Sequence, residues 1–379
     1  MGFLDSLASM TDGICNLTSK VGDMFDSTTK NETATIEKNE IAPIVKNEEM
    51  PSVQTPDGLD AKVTLAMNWA FDVANGNIPG LGTSHEMAQR YLDKYGSVSS
   101  AVDHLVFWQI AAAATTGFVT GLGGIATMPL LLPANLAGVT VIQLRMVGAI
   151  AEMGGYEEKS EDKKTGMYLC LLGSQAGSAL SKTTNQFSVK FATASLKKLP
   201  GSVLTKINKA VGFKLVTKFG EKGLINLAKA IPVLGGVIGG TVDAFSTYAI
   251  AKTAKALFLD DAIDFEQQER IEVDKMRLLM NMAIIDGEYD EKEAGLLKMI
   301  AGSLNISEKS QAMLASEIDN PKMQKVDLSQ FKGDKVNSTS LISGLSQMAK
   351  YDGKIEPIEK MYISSIASEL GYPELVADL

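Results

Sequence analysis

Cysteine and histidine are almost missing from this chain. Cys15 and Cys170 are its two thiols and His85 and His104 its two imidazoles, in 379 residues. Two cysteines form neither a disulfide framework nor a zinc motif, and a reducing cytoplasm suits them. No motif joins either histidine to a thiol or an acid, so both read as surface or helix-end residues. Aromatics are only 6% of the chain, and long alternating runs of Val, Ile, Thr and Tyr are absent, which argues against sandwiches and barrels. No Lys or Arg precedes Lys20 and Asp5 is acidic, so the first residues do not read as a secretory signal peptide.

Enzyme signatures are missing too. The run Gly173-Ser174-Gln175-Ala176-Gly177 puts its serine in the wrong place for a nucleophile elbow. There is no phosphate-binding loop of the G-x-x-x-x-G-K type. Gly121-Leu122-Gly123-Gly124-Ile125-Ala126 fits a dinucleotide pattern formally, but it lacks the preceding strand and the following acid, so it reads as packing glycine.

What is present is helical. Leu, Ala, Met, Ile and Lys abound and apolar residues reach 45%, so the expected fold is all-α, with two or three domains at this length. The organising stretch is Leu105–Leu144, forty residues without Asp, Glu, Lys, Arg or His. Pro129 and Pro133 divide it into two apolar legs of roughly 20 residues, about the span of a bilayer core. Gly117 and Gly121 have the spacing that lets two helices approach closely. A membrane hairpin and a buried hairpin both fit; Gln109, Thr115, Thr116, Thr120, Thr127, Asn135 and Gln143 favour the buried one.

The net charge of −9 hides a partition: −7 over residues 1–60, +8 over 61–258 and −10 over 259–379. Ten lysines and a single acid, Glu221, lie between Lys182 and Lys229. Lys190, Lys197, Lys198, Lys206, Lys209, Lys214, Lys218 and Lys222 are the expected contacts to an anionic membrane surface. Each lysine near such a leaflet contributes about 1 kcal/mol, so half of the ten would give roughly 5 kcal/mol.

Residues 1–26 read as an amphipathic helix with a heptad seam of Phe3, Leu7, Met10, Ile14, Leu17, Val21 and Met24. Its polar face carries acids, which points to a protein partner. Residues 27–60 read as a flexible polar linker. A helical domain then spans 61–258, with a charged loop at Tyr156–Lys164, a third apolar helix around Gly166–Leu180, and an apolar glycine-rich run at Ala230–Phe258. The runs GFVTGLGGIATMPLLLPANL, QLRMVGAIAEMGGYE and NKAVGFKLVTKFGEKGLINLAKAIPVLGGVIGGTVDAF resemble the bacterial EcsC family over about residues 61–258. That family is named for a component encoded beside an ABC transporter and has no agreed activity, so the resemblance supplies no catalytic residue.

From residue 259 the chain repeats itself at an offset of 66 residues. Met282-Ala283-Ile284-Ile285-Asp286-Gly287 aligns with Met348-Ala349-Lys350-Tyr351-Asp352-Gly353, and Asp290 and Glu293 align with Glu356 and Glu359. Each copy reads as helix, Asp-Gly turn, helix, making a smaller C-terminal bundle of pseudo-twofold pattern. Should the turn open the helix directly, its Asp would cap the N-terminus and the two following acids would share one face. Hard cations such as Ca²⁺ or Mg²⁺ take several carboxylate oxygens, although capping and the helix dipole account for the same residues. The glycine position rules out an EF-hand loop. This segment, about 260–379, is similar to the TerB-like tellurite-resistance domain. The resemblance implies metal binding at Asp286, Asp290, Glu293, Asp352, Glu356 and Glu359, and company with membrane-linked stress systems. The Pro357 that follows Glu356 sets the second copy apart.

Arg145, Glu152 and Asp243 each interrupt an apolar run. Arg145 and Glu152 share a helical face and Asp243 is placed to pair with Arg145, because ionised groups in apolar surroundings are costly unless paired. A structural ion pair and a proton or ligand site both fit.

The expected function is that of a non-catalytic, membrane-associated bacterial stress-response or accessory protein, cytoplasmic and peripherally attached to the inner membrane. Its basic apolar domain would face lipid. Its acidic domain would sense a divalent cation or bind a partner; no nucleic-acid partner is expected. Two other readings stay open: a membrane-perturbing effector released from an autoinhibited form, and a lipid-directed enzyme using Arg145, Glu152 and Asp243.

Overall fold

The computed structural model describes residues 68–76, 82–113, 134–156, 160–183, 232–351 and 354–376, all within the compact unit Thr55–Leu379. The readings made for residues 1–26 and 27–60, the Gly117/Gly121 pair, Pro129 and Pro133, the eight lysines from Lys190 to Lys222, and Asp352 lie outside the described residues. Those that are described form helices throughout. They comprise α1 (68–75), α2 (Ser84–Tyr95), α3 (Val98–Ala113), α4 (Ala134–Met153), α5 (Glu161–Cys170), α6 (Ala176–Thr183), α7 (Pro232–Phe258), α8 (Phe265–Ala283), α9 (Glu291–Ser303), α10 (Glu308–Asp319), α11 (Lys335–Ala349) and α12 (Pro357–Leu370).

Short polar residues start these helices. Thr83 opens α2 by accepting from the Glu86 amide at 3.0 Å, while Glu86 accepts in return from the Thr83 amide at 2.9 Å. Asp264, Ser307 and Asp334 open α8, α10 and α11 in the same manner, each accepting first-turn amides that have no partner within the helix.

The apolar helix expected across Gly166–Leu180 is instead two helices, α5 and α6, broken at Leu171–Gln175. Hydrogen bonds to another part of the chain account for the break. Ser174 Oγ donates to the Asn305 carbonyl at 2.6 Å, and Asn305 Nδ2 donates to the Leu171 carbonyl at 2.8 Å. Those groups hold the turn open where sequence periodicity alone would run on.

Helix α7 is 27 residues long and apolar on nearly every side, the pattern of a helix enclosed by others. It packs against α3, α4 and α5 of its own half and against α11 of the acidic half. One hydrophobic core therefore runs through both sequence segments. It joins Leu144, Ile150, Phe245 and Leu257 to Met276, Leu296, Leu345 and Ile363. In the repeat, Leu296, Ile300 and Ile366 are buried in it and Met299 and Tyr362 pack on it, whereas Ser365 faces solvent. No helix among the described residues is long and apolar enough to cross a membrane.

Candidate functional site

The first Asp-Gly turn lies four residues ahead of its helix. Asp286 closes the turn by accepting the Glu288 amide at 2.9 Å, and Gly287 takes a φ of +85°, open to glycine at no steric cost. The cap of α9 is Asp290, not Asp286. Its Oδ1 accepts the Lys292 and Glu293 amides at 2.8 Å each, and Glu293 accepts the Asp290 amide at 3.0 Å. The second copy repeats part of this arrangement: the Glu356 amide donates to Glu359 at 2.9 Å as α12 begins on Pro357. The 66-residue repeat is thus a repeat of helix starts, with paired acids at corresponding positions.

Glu293 feels the charge of other acids at this end of the bundle. Burial raises the Glu293 carboxyl, its bond with the Asp290 amide lowers it, and the neighbouring carboxylates of Asp290, Asp286 and Glu359 raise it again, leaving it above the ordinary range. Glu359 belongs to the other copy, so both copies contribute to one acidic end. Among the described residues no three His, Cys, Asp or Glu side chains are grouped closely enough to hold a metal ion.

Arg145 and Asp243 do not meet. Arg145, with a residue exposure of 2%, donates through Nη1 to the Gly82 carbonyl at 2.6 Å and through Nη2 to the Thr83 carbonyl at 3.3 Å, which ties α4 to the start of α2. Burial and the nearby Arg90 hold it down at about 10 against the pull of Glu86, so it stays charged at neutral pH. Glu152, two turns along α4, is paired with the fully buried Lys163 of α5 and lies 3.4 Å from His85 Nδ1. Burial raises the half-buried Asp243 to about 7. Within the apolar domain Glu152 is thus paired with Lys163, and Arg145 is bonded to two backbone carbonyls at the start of α2.

A polar cluster that sequence reasoning missed lies where α7, α8 and α11 meet. Lys275 of α8 is fully buried and donates to Ser340 Oγ of α11 at 2.9 Å; Ser340 Oγ in turn donates to the Ala244 carbonyl of α7 at 2.9 Å. Tyr248 OH donates to Asp334 Oδ2 at 2.9 Å. A second joint is built on Glu269, which accepts from the Ser307 and Ser310 hydroxyls, from the Ser307 amide at 3.1 Å and from Gln175 Nε2 at 2.9 Å. Against its burial, these bonds hold Glu269 below the usual carboxylate range. One signal was available for Lys275. It follows Ile271 by one turn and precedes Leu279 by another, so it interrupts an apolar stripe as Arg145 does.

The family comparisons agree with this two-part build. The EcsC protein family model matches residues 16–259, reaching upstream of residue 61, and the model described as tellurite resistance protein TerB matches residues 272–375. No curated protein and no solved structure matches the chain. Covering well over half of the sequence, the first match shows that this chain belongs to the EcsC protein family, and a TerB segment follows its EcsC part.

Proposed function

We propose that the chain is a non-catalytic accessory protein of a bacterial stress response, working at the cytoplasmic face of the inner membrane. Its EcsC part meets anionic lipid through the basic stretch Lys182–Lys229, and its TerB part receives the signal, a divalent cation such as Ca²⁺ or Mg²⁺ or a basic partner. The pairing of an EcsC segment with a TerB segment supports the accessory role. The observation that carries the reading is the bonded junction of the two segments. Lys275, Ser340 and Ala244 form one continuous chain of hydrogen bonds from α8 through α11 to α7, and a common core lies around it. A change at the acidic half therefore has a bonded path to the helices of the EcsC part. The negative charge that Asp286, Asp290 and Glu359 exert on Glu293 gives that end a reason to attract cations.

Sedimentation of the full-length protein with vesicles rich in phosphatidylglycerol is the direct test. Binding at low ionic strength and release by moderate salt are expected, because surface charge attraction is screened over about 8–10 Å in such salt. Failure to sediment with acidic vesicles at low salt would overturn the membrane part of the reading. Calorimetric titration with Ca²⁺ and Mg²⁺ tests the sensing part separately.

A further inference from the structure

The junction of the two segments contains a basic group that its surroundings serve poorly when it is charged. Lys275 is fully buried, and its ammonium donates to the Ser340 hydroxyl. An ammonium carries three donors, whereas a neutral amine is content with far less. Its remaining neighbours are the ring faces of Tyr248, 4.3 Å from Nζ to centroid, and of Phe245, at 5.1 Å. Those faces favour a cation, but a desolvated ion loses more than two rings return. The titratable groups that face it are Glu272 on its own helix, Asp334 at the start of α11, and Tyr248 on α7, whose hydroxyl donates to Asp334. Burial pulls the amine down to about 7, with Glu272 and Asp334 acting in the opposite direction.

Room for change is built in beside it. Asn337, one turn ahead of Ser340 on the same face of α11, is 1% exposed, and neither its side-chain Nδ2 nor its Oδ1 has a partner among the described residues. Gln268, on the α8 face that also carries Glu272 and Lys275, leaves its buried amide nitrogen unpartnered. Buried polar groups left in this state are places that water enters readily once a path exists. At Gly344, by contrast, the junction is tightly filled by the ring of Phe245.

We propose that Lys275 is a proton-operated latch between the EcsC and TerB segments: the neutral amine keeps α8 closed on α7 and α11, and its protonation admits water at Asn337 and Gln268 and loosens the junction. This goes beyond the accessory role and does not require that the acidic end bind a cation or that the basic stretch bind lipid. The sign follows from linkage. A lysine whose closed-state value lies below its open-state value binds fewer protons when closed, so opening is favoured as pH falls from about 10.4 towards about 7 and levels off below that.

Hydrogen–deuterium exchange on the full-length chain, corrected for intrinsic rates, tests the latch at the amides of α7 and α11. Protection is expected to fall by up to roughly tenfold per pH unit from pH 9 to about 7, then level. In Lys275→Met the slope should vanish. In Glu272→Gln, which keeps the lysine, the levelling point should move to lower pH, because a carboxylate that favoured the charged amine is gone. A flat wild-type profile, an unchanged slope in Lys275→Met, or an unmoved levelling point in Glu272→Gln would each overturn the proposal. Glu272→Gln decides the matter should Lys275→Met fail to fold.

Discussion

The ring of Phe245 lies directly over Gly344, so that a Cβ at residue 344 would stand 2.3 Å from Phe245 Cε1. One of these residues belongs to the EcsC segment and the other to the TerB segment. Gly344→Ala is therefore expected to force the ring and α11 apart, at a cost of about 1–3 kcal/mol typical of overpacking. Urea unfolding measures it. A midpoint equal to that of the parent protein would show that the contact is softer than its geometry.

The Glu152–Lys163 pair joins α4 to α5, with the lysine entirely enclosed. Glu152→Ala leaves an ammonium buried without its counter-charge and should lower stability by roughly 3–5 kcal/mol. Glu152→Gln, which keeps a hydrogen-bond acceptor, should lose less. His85 is 64% exposed on its side chain, and His85→Ala is expected to stay within about 0.5 kcal/mol, as surface changes do. The comparison of the three midpoints separates the buried pair from its exposed neighbour.

Asp290 performs an N-terminal cap whether or not it also binds a cation. Asp290→Ala should cost about 1 kcal/mol through the lost cap, measured without metal. If the acidic end takes Ca²⁺, the ion raises the melting temperature of the parent protein, and Glu293→Gln reduces that rise. A melting temperature indifferent to Ca²⁺ and Mg²⁺ would leave these acids as helix-start residues and remove the sensing proposal.

Asp243 makes a pH prediction of its own. Burial raises its carboxyl to about 7, above the value of about 3.9 that an exposed aspartate has. A raised carboxylate disfavours folding once it must ionise, so its penalty grows as pH rises from about 4 to about 7 and is constant above. Asp243→Asn should then be more stable than the parent at pH 8, by roughly 2 kcal/mol after allowance for partial exposure, and no more stable at pH 4. Parallel stability curves for the two proteins would contradict this.

Much of the scaffold was legible because helices leave local marks. The Ala230–Phe258 run is matched by α7 to within two residues, and the Asp-Gly register correctly paired Asp290 with Glu356 and Glu293 with Glu359. What a pattern reports is that a face is covered, not by what. Nothing near Phe245 announces Gly344, about a hundred residues away, and nothing near Ser174 announces Asn305. The same limit explains Arg145. Its place in an apolar run implied a partner, and a carboxylate was the obvious candidate, yet among its acceptors are the carbonyls of Gly82 and Thr83. Backbone acceptors are carried by every residue and so leave no trace in sequence. Asp286 misled for a nearer reason: four residues of turn separate it from α9, and the cap passes to Asp290.

The knot around Glu269 has a practical consequence. Gln175 reaches it from the EcsC segment, while Ser307 and Ser310 hold it from the TerB segment. Trimming the gene at the interval between the two families, near residue 260, would strip the sheath from α7 and strand a carboxylate that has lost one of its amide donors. Neither fragment would behave as a faithful miniature of its parent. Anyone dissecting this molecule is better served by single substitutions in the intact polypeptide than by scissors.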